Sequence, residues 1–99
     1  MTEIEKFVRF YIKDMESTLE WTASDRMSDY SNDDRRDWGL RTMRDAYEAA
    51  RGALRFARIY EKSIDEEEYQ LLNARISDSY HELSDKVWDL WRHDSWQHC

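Results

Sequence analysis

The sequence predicts an all-α protein of three long helices in an antiparallel up-down-up bundle. Three observations carry that reading: glycine and proline are nearly absent, helix-start signals recur about every thirty residues, and apolar residues return at alternating intervals of three and four. There are two Gly and no Pro in 99 residues. β-Sandwiches, barrels, Rossmann folds and phosphate-binding loops need tight turns and close backbone approach, so this composition argues against each of them. A single domain of this size buries roughly two-thirds of its chain surface. With 40% hydrophobic residues it can build a core without a disulfide or a stapling metal.

Helix starts follow from capping chemistry, in which a side-chain oxygen takes an orphan amide of the first turn and an acid three residues on reaches back. Thr2 with Glu5, Ser31 with Asp34 and Ser63 with Glu66 fit this pattern and predict helices over 3–28, 33–62 and 65–93. A frayed tail over 94–99 should follow. In the first helix Ile4, Val8, Tyr11, Met15, Leu19 and Thr22 share a stripe that Phe7 and Ile12 widen. The pattern weakens after Thr22, which places a fraying end and a connection near 29–33. The second stripe is Met43, Tyr47, Ala50, Leu54 and Ala57; the third is Tyr69, Leu72, Ile76, Tyr80, Leu83, Val87, Leu90 and Trp91. Near-heptad stripes joined by short connections suit a left-handed bundle of antiparallel neighbours. A helical hairpin completed by a second copy is the alternative. Ala46, Ala49, Ala53 and Ala57, with Gly52 beside them, form a strip of low bulk on helix two that fits close packing inside the bundle or a homodimer seam. Gly costs about 1 kcal/mol relative to Ala inside a helix, so Gly52 should have a packing reason.

Twenty-two acids against fifteen bases, net −7, disfavour direct binding to nucleic acid or an anionic membrane and favour a basic partner. The one Cys is Cys99, so no disulfide forms within the chain, and a cytoplasmic protein is expected. No apolar run approaches a membrane span or a signal peptide.

Little in the sequence points to catalysis. His81, His93, His98 and Cys99 are the only nitrogen and sulfur ligands, and the three near the end lack a fourth for tetrahedral zinc. Asp29, Ser31 and Asp33 imitate the start of a calcium loop, but Asp34 and Leu40 stand where that loop needs Gly and Glu. Glu66, Glu67 and Glu68 read as an acidic first turn. A non-enzymatic protein with no cofactor and no metal is expected.

Three patterns lie outside the predicted core. Arg41, Arg44, Arg51, Arg55 and Arg58 run along one side of helix two, interrupted by Glu48, and 11 of the 15 bases are Arg. The planar guanidinium suits carboxylate or phosphate, so Arg44, Arg51, Arg55 and Arg58 either pair with acids of helices one and three or hold an anionic small molecule such as a nucleotide in an oligomer. Phe10 and Trp21 lie off the stripe of helix one, Trp88 lies off that of helix three in line with Ser77, His81 and Ser84, and Trp38 and Phe56 share an outer direction on helix two. Large aromatics among charges are what binding surfaces use as anchors. Finally, Glu16, Glu20, Asp25, Asp29, Asp33, Asp34 and Asp37 collect around the first connection, with Arg26, Arg35 and Arg36 the bases among them. Such an array is either a solvated face or a presentation of charge to a groove built for phosphates.

In size, acidity and aromatic excess the chain resembles phage and mobile-element inhibitors of host nucleic-acid enzymes and defence systems, including nucleic-acid mimics. The likeness is one of general character and no motif carries it. It implies a binding protein that blocks a basic surface on a host protein in the host cytoplasm; the off-core aromatics and the acidic array themselves give Phe10, Trp21, Glu16, Glu20, Asp25, Asp29, Asp33 and Trp88 as the expected contact residues. A structural or assembly subunit, dimeric or larger, is the remaining expectation.

Overall fold

The computed structural model describes residues 2–93; residues 1 and 94–99, which include His98, Cys99 and the expected frayed tail, lie outside the described residues. Three helices, α1 (Glu3–Thr22), α2 (Asn32–Phe56) and α3 (Glu66–Leu90), pack against one another in an antiparallel bundle. The molecule is elongated, 53 × 25 × 19 Å.

Two of the three caps form as the spacing predicts. Glu5 N–H donates to Thr2 Oγ1 at 3.2 Å and Asp34 N–H to Ser31 Oγ at 3.1 Å. The third does not: Asp65, not Ser63, accepts from Glu68 N–H at 2.8 Å. The reason lies in the turn before it. α2 passes into a π-helical turn (Ala57–Glu61), Lys62 takes a left-handed conformation at φ 51°, and Ile64 is driven into the core. Burying Ile64 holds the chain extended for two more residues before a helix can start.

The first helix is shorter than 3–28. Thr22 is fully buried, its hydroxyl donates to Leu19 O at 2.6 Å, and Ser24 Oγ donates to Trp21 O at 2.8 Å. These local bonds take the last carbonyls of α1 and turn the chain out of the helix. A separate 3₁₀ turn (Asp25–Met27) follows and buries Met27, so the connection spans 23–31 rather than 29–33. α3 likewise stops at Leu90, short of 93.

The core consists of two clusters along the bundle. Val8, Ala50, Leu54, Ala57, Ile64, Leu72 and Ile76 form one, Met15, Met43, Ala46, Leu83 and Val87 the other, and Tyr11, Ile12 and Tyr47 pack against both. Tyr47 stacks on Tyr80 at 4.4 Å with rings nearly parallel. Phe7 and Leu90, expected on the apolar stripes, are exposed, and Thr18 is buried because its hydroxyl is satisfied by Asp14 O at 2.9 Å. The small-residue strip of α2 divides: Ala46 and Ala57 enter the core while Ala49 and Gly52 face outward.

The two glycines of α2 differ in what surrounds them. A Cβ on Gly39 would sit 2.9 Å from Thr22 Cγ2 and 3.4 Å from Val87 Cγ1, so this glycine lets α1 and α3 close on α2. A Cβ on Gly52 would meet nothing within 4 Å. Among the described residues nothing supplies the packing reason expected for Gly52.

Candidate functional site: the aromatic cleft beside the first connection

α1 ends at Thr22, and the 3₁₀ turn carries the chain across to the start of α2. Beside this connection lies a cleft of about 650 Å³ lined by Trp21, Arg26, Met27, Tyr30, Asp34, Asp37, Trp38 and Arg41. Met27 is its buried floor. Asp34, Asp37, Trp38 and Arg41 recur at three and four residues, which puts them on one side of α2 facing the opening. Trp21 is 42% and Tyr30 54% exposed, and the Arg26 guanidinium lies 5.1 Å from the Trp21 ring centre. The cleft's own lining holds two carboxylates, Asp34 and Asp37, and two arginines, Arg26 and Arg41, and Asp25 and Asp29 adjoin it in sequence.

On the other flank of the first turns of α2 a set of side chains clasps the end of α3. Arg35 Nε donates to Met27 O at 2.9 Å while its guanidinium lies 4.5 Å from the Trp91 ring centre. Arg36, with only 12% of its side chain exposed, lies 4.8 Å from the Trp88 ring centre and pairs with Asp33 and Asp37. Asp33 Oδ2 also faces His93 Nε2 at 3.2 Å. Trp91 Nε1 donates to Thr22 Oγ1 at 2.8 Å, tying α3 to the end of α1. The cleft and the clasp thus share one helix start, and the clasp fixes where the cleft's α2 wall stands.

The predicted contact residues do not form one surface. Trp21, Asp25 and Asp29 gather at or next to the cleft. Asp33 and Trp88 belong to the clasp. Glu16 and Glu20 line a groove of about 270 Å³ between α1 and α3, opposite Glu82 and Lys86. Phe10, 63% exposed, lies eleven residues before Trp21, which is ~16 Å along the helix, in a separate hollow with Phe7. Both lie off the stripe of helix one, but that axial distance separates them. Sequence reasoning missed Tyr30 and Met27 as cleft residues and did not join Trp38 and Arg41 to Trp21. Only the early stop of α1, signalled by Ser24 and the dense Ser/Asp run after it, could have indicated that these residues converge.

The arginine stripe is partly spent within the chain. Arg44 pairs with Glu48 at 3.2 Å, and Arg58 pairs with Glu66 at 3.1 Å and covers Tyr69 at 4.0 Å. Arg51 lies over Tyr47 at 5.4 Å, and Arg51 and Arg55 flank a shallow notch of about 200 Å³ left by the missing side chain of Gly52. Among the described residues no three His, Cys, Asp or Glu side chains come together as metal ligands, and no helix is long and apolar enough to cross a membrane.

Comparison with protein-family models, with curated proteins and with solved structures gives no match.

Proposed function

We propose that this is a non-enzymatic binding protein that takes hold of a basic protein surface with the cleft end of the bundle. The observation that supports it is the coincidence of the 650 Å³ aromatic-lined cleft with the carboxylates of Asp25, Asp29, Asp34 and Asp37, which line it or adjoin its lining in sequence. Half-exposed rings beside carboxylates give area for a partner at low entropy cost, while the chain's net negative charge speeds encounter with a cation-rich surface and rejects anionic ones. A surface built for phosphates meets these requirements. The reading therefore extends to blocking a nucleic-acid-processing or defence protein, as a phage or mobile-element inhibitor in the host cytoplasm would.

The test is affinity capture from the native host's lysate, comparing the natural chain with an Asp25→Asn, Asp29→Asn, Asp34→Asn, Asp37→Asn variant, with and without excess duplex DNA. The reading predicts one nucleic-acid-processing protein held by the natural chain, released by DNA and lost with the variant. Identical captures by both chains would remove these carboxylates from the function.

A second reading is supported by the Gly52 notch, lined by Arg51 and Arg55, which have no acidic partner among the described residues, and by Glu48, which pairs with Arg44. It makes the outer face of α2 the seat of an anionic small molecule or of a second copy. A nucleotide panel that leaves the melting temperature unchanged in the natural chain would set it aside.

A further inference from the structure

Resting on that reading, we infer that the cleft is a receptor for a guanidinium: its occupant is an arginine side chain of the partner, laid against Tyr30 and Trp38 with its N–H groups donated to Asp34 and Asp37. The fold itself suggests the chemistry. Among the described residues five aromatic rings are covered by the chain's own arginines: Trp21 by Arg26, Trp91 by Arg35, Trp88 by Arg36, Tyr47 by Arg51 and Tyr69 by Arg58. Tyr30 and Trp38 have no such cover, and both line the cleft. One wall of that same cleft already holds a guanidinium against a ring, Arg26 on Trp21, so its width and polarity suit the group.

The acceptors are in place as well. The Asp34 carboxylate has no ion pair among the described residues, and Asp37, bonded to Arg36 through Oδ1, keeps Oδ2 for another donor. A guanidinium is planar, stacks on an aromatic face and donates two parallel N–H bonds, whereas an ammonium is a compact, strongly hydrated point charge that can do neither as well. The site should therefore prefer arginine to lysine at equal charge. Arg41 also lines the cleft and opposes crowding by a second cation.

The experiment titrates the intact protein with two acetylated peptides of equal length and charge, alternating Gly-Arg and Gly-Lys, followed by calorimetry and tryptophan fluorescence. The arginine peptide should bind about tenfold more tightly, the scale of one well-formed cation–π contact with its hydrogen bonds. Trp38→Ala should bring arginine affinity down to that of lysine while leaving lysine affinity unchanged, and Asp34→Asn with Asp37→Asn should weaken both. Trp38 is half-buried, so Tyr30→Ala, at an exposed ring, serves as a second variant, with circular dichroism to confirm that each is folded. Equal affinities for the two peptides, unmoved by either ring variant but weakened by the carboxylate variant, would overturn the guanidinium inference and leave the basic-surface reading standing. No binding of either peptide would remove both.

Discussion

At the turn end of the bundle, α2 passes into α3 through residues 62–65, and what closes the core there is apolar: Ile64 is buried beside Leu54, Ala57 and Leu72. At the other end no turn among the described residues joins α3 to its neighbours, and what closes the core is polar and aromatic: Arg35 and Arg36 on Trp91 and Trp88, and Trp91 on Thr22. Their surfaces differ too: Phe7, Phe10, Phe56, Ile59, Tyr60 and Leu71 are exposed at the turn end and Trp21, Tyr30 and Trp88 at the cleft end, while carboxylates stand at both. A covalent turn keeps two helices together whatever their side chains do; where none exists, side chains must supply the restraint. The tryptophans among the described residues, 21, 38, 88 and 91, all lie at the end that needs it.

That contrast can be broken from either side. The largest effect should come from Trp91→Ala, which removes the Thr22 hydrogen bond, the Arg35 stack and half-buried ring area at once. A loss of about 2–3 kcal/mol is expected by urea denaturation. Gly39→Ala comes next, because a Cβ 2.9 Å from Thr22 Cγ2 pushes α1 and α2 apart beside the clasp, at a cost of about 1–2 kcal/mol. Substitutions away from the clasp should act in the opposite direction. Lys62→Gly relieves a left-handed backbone at the turn and should stabilise by about 1 kcal/mol. Gly52→Ala removes a flexible residue from an open helix face, and a gain of up to about 1 kcal/mol in the monomer is expected. A loss at Gly52 instead would mean that something outside the chain packs there. The smallest effect belongs to Arg44→Ala, since an exposed pair with Glu48 contributes a few tenths of a kcal/mol.

The helices were legible because their stripes and two of their caps are local features, set by residues three and four apart. Val8, Met15, Met43, Leu54, Ile76 and Val87 are buried where periodicity puts them. What the sequence concealed depends on contacts between distant residues. The cap at Asp65 follows from burying Ile64 against α1 and α2, and the end of α1 at Thr22 is reinforced by a bond from Trp91, 69 residues away. The cleft was half visible: the acids and Trp21 stood out, but Tyr30, Trp38 and Arg41 join them only through the shape of the connection. Asp33 looked like its neighbours in the acidic run and turns instead into the clasp, because it starts the helix flank that faces His93 and Arg36.

The most direct test of the account is hydrogen exchange of the intact protein, free and bound to the basic partner that it captures, read segment by segment. The account predicts slowed exchange within residues 21–41, around the cleft, with residues 4–10 and 56–64 unchanged. Protection confined to 4–10 and 56–64 would place the working surface at the apolar turn end and contradict it.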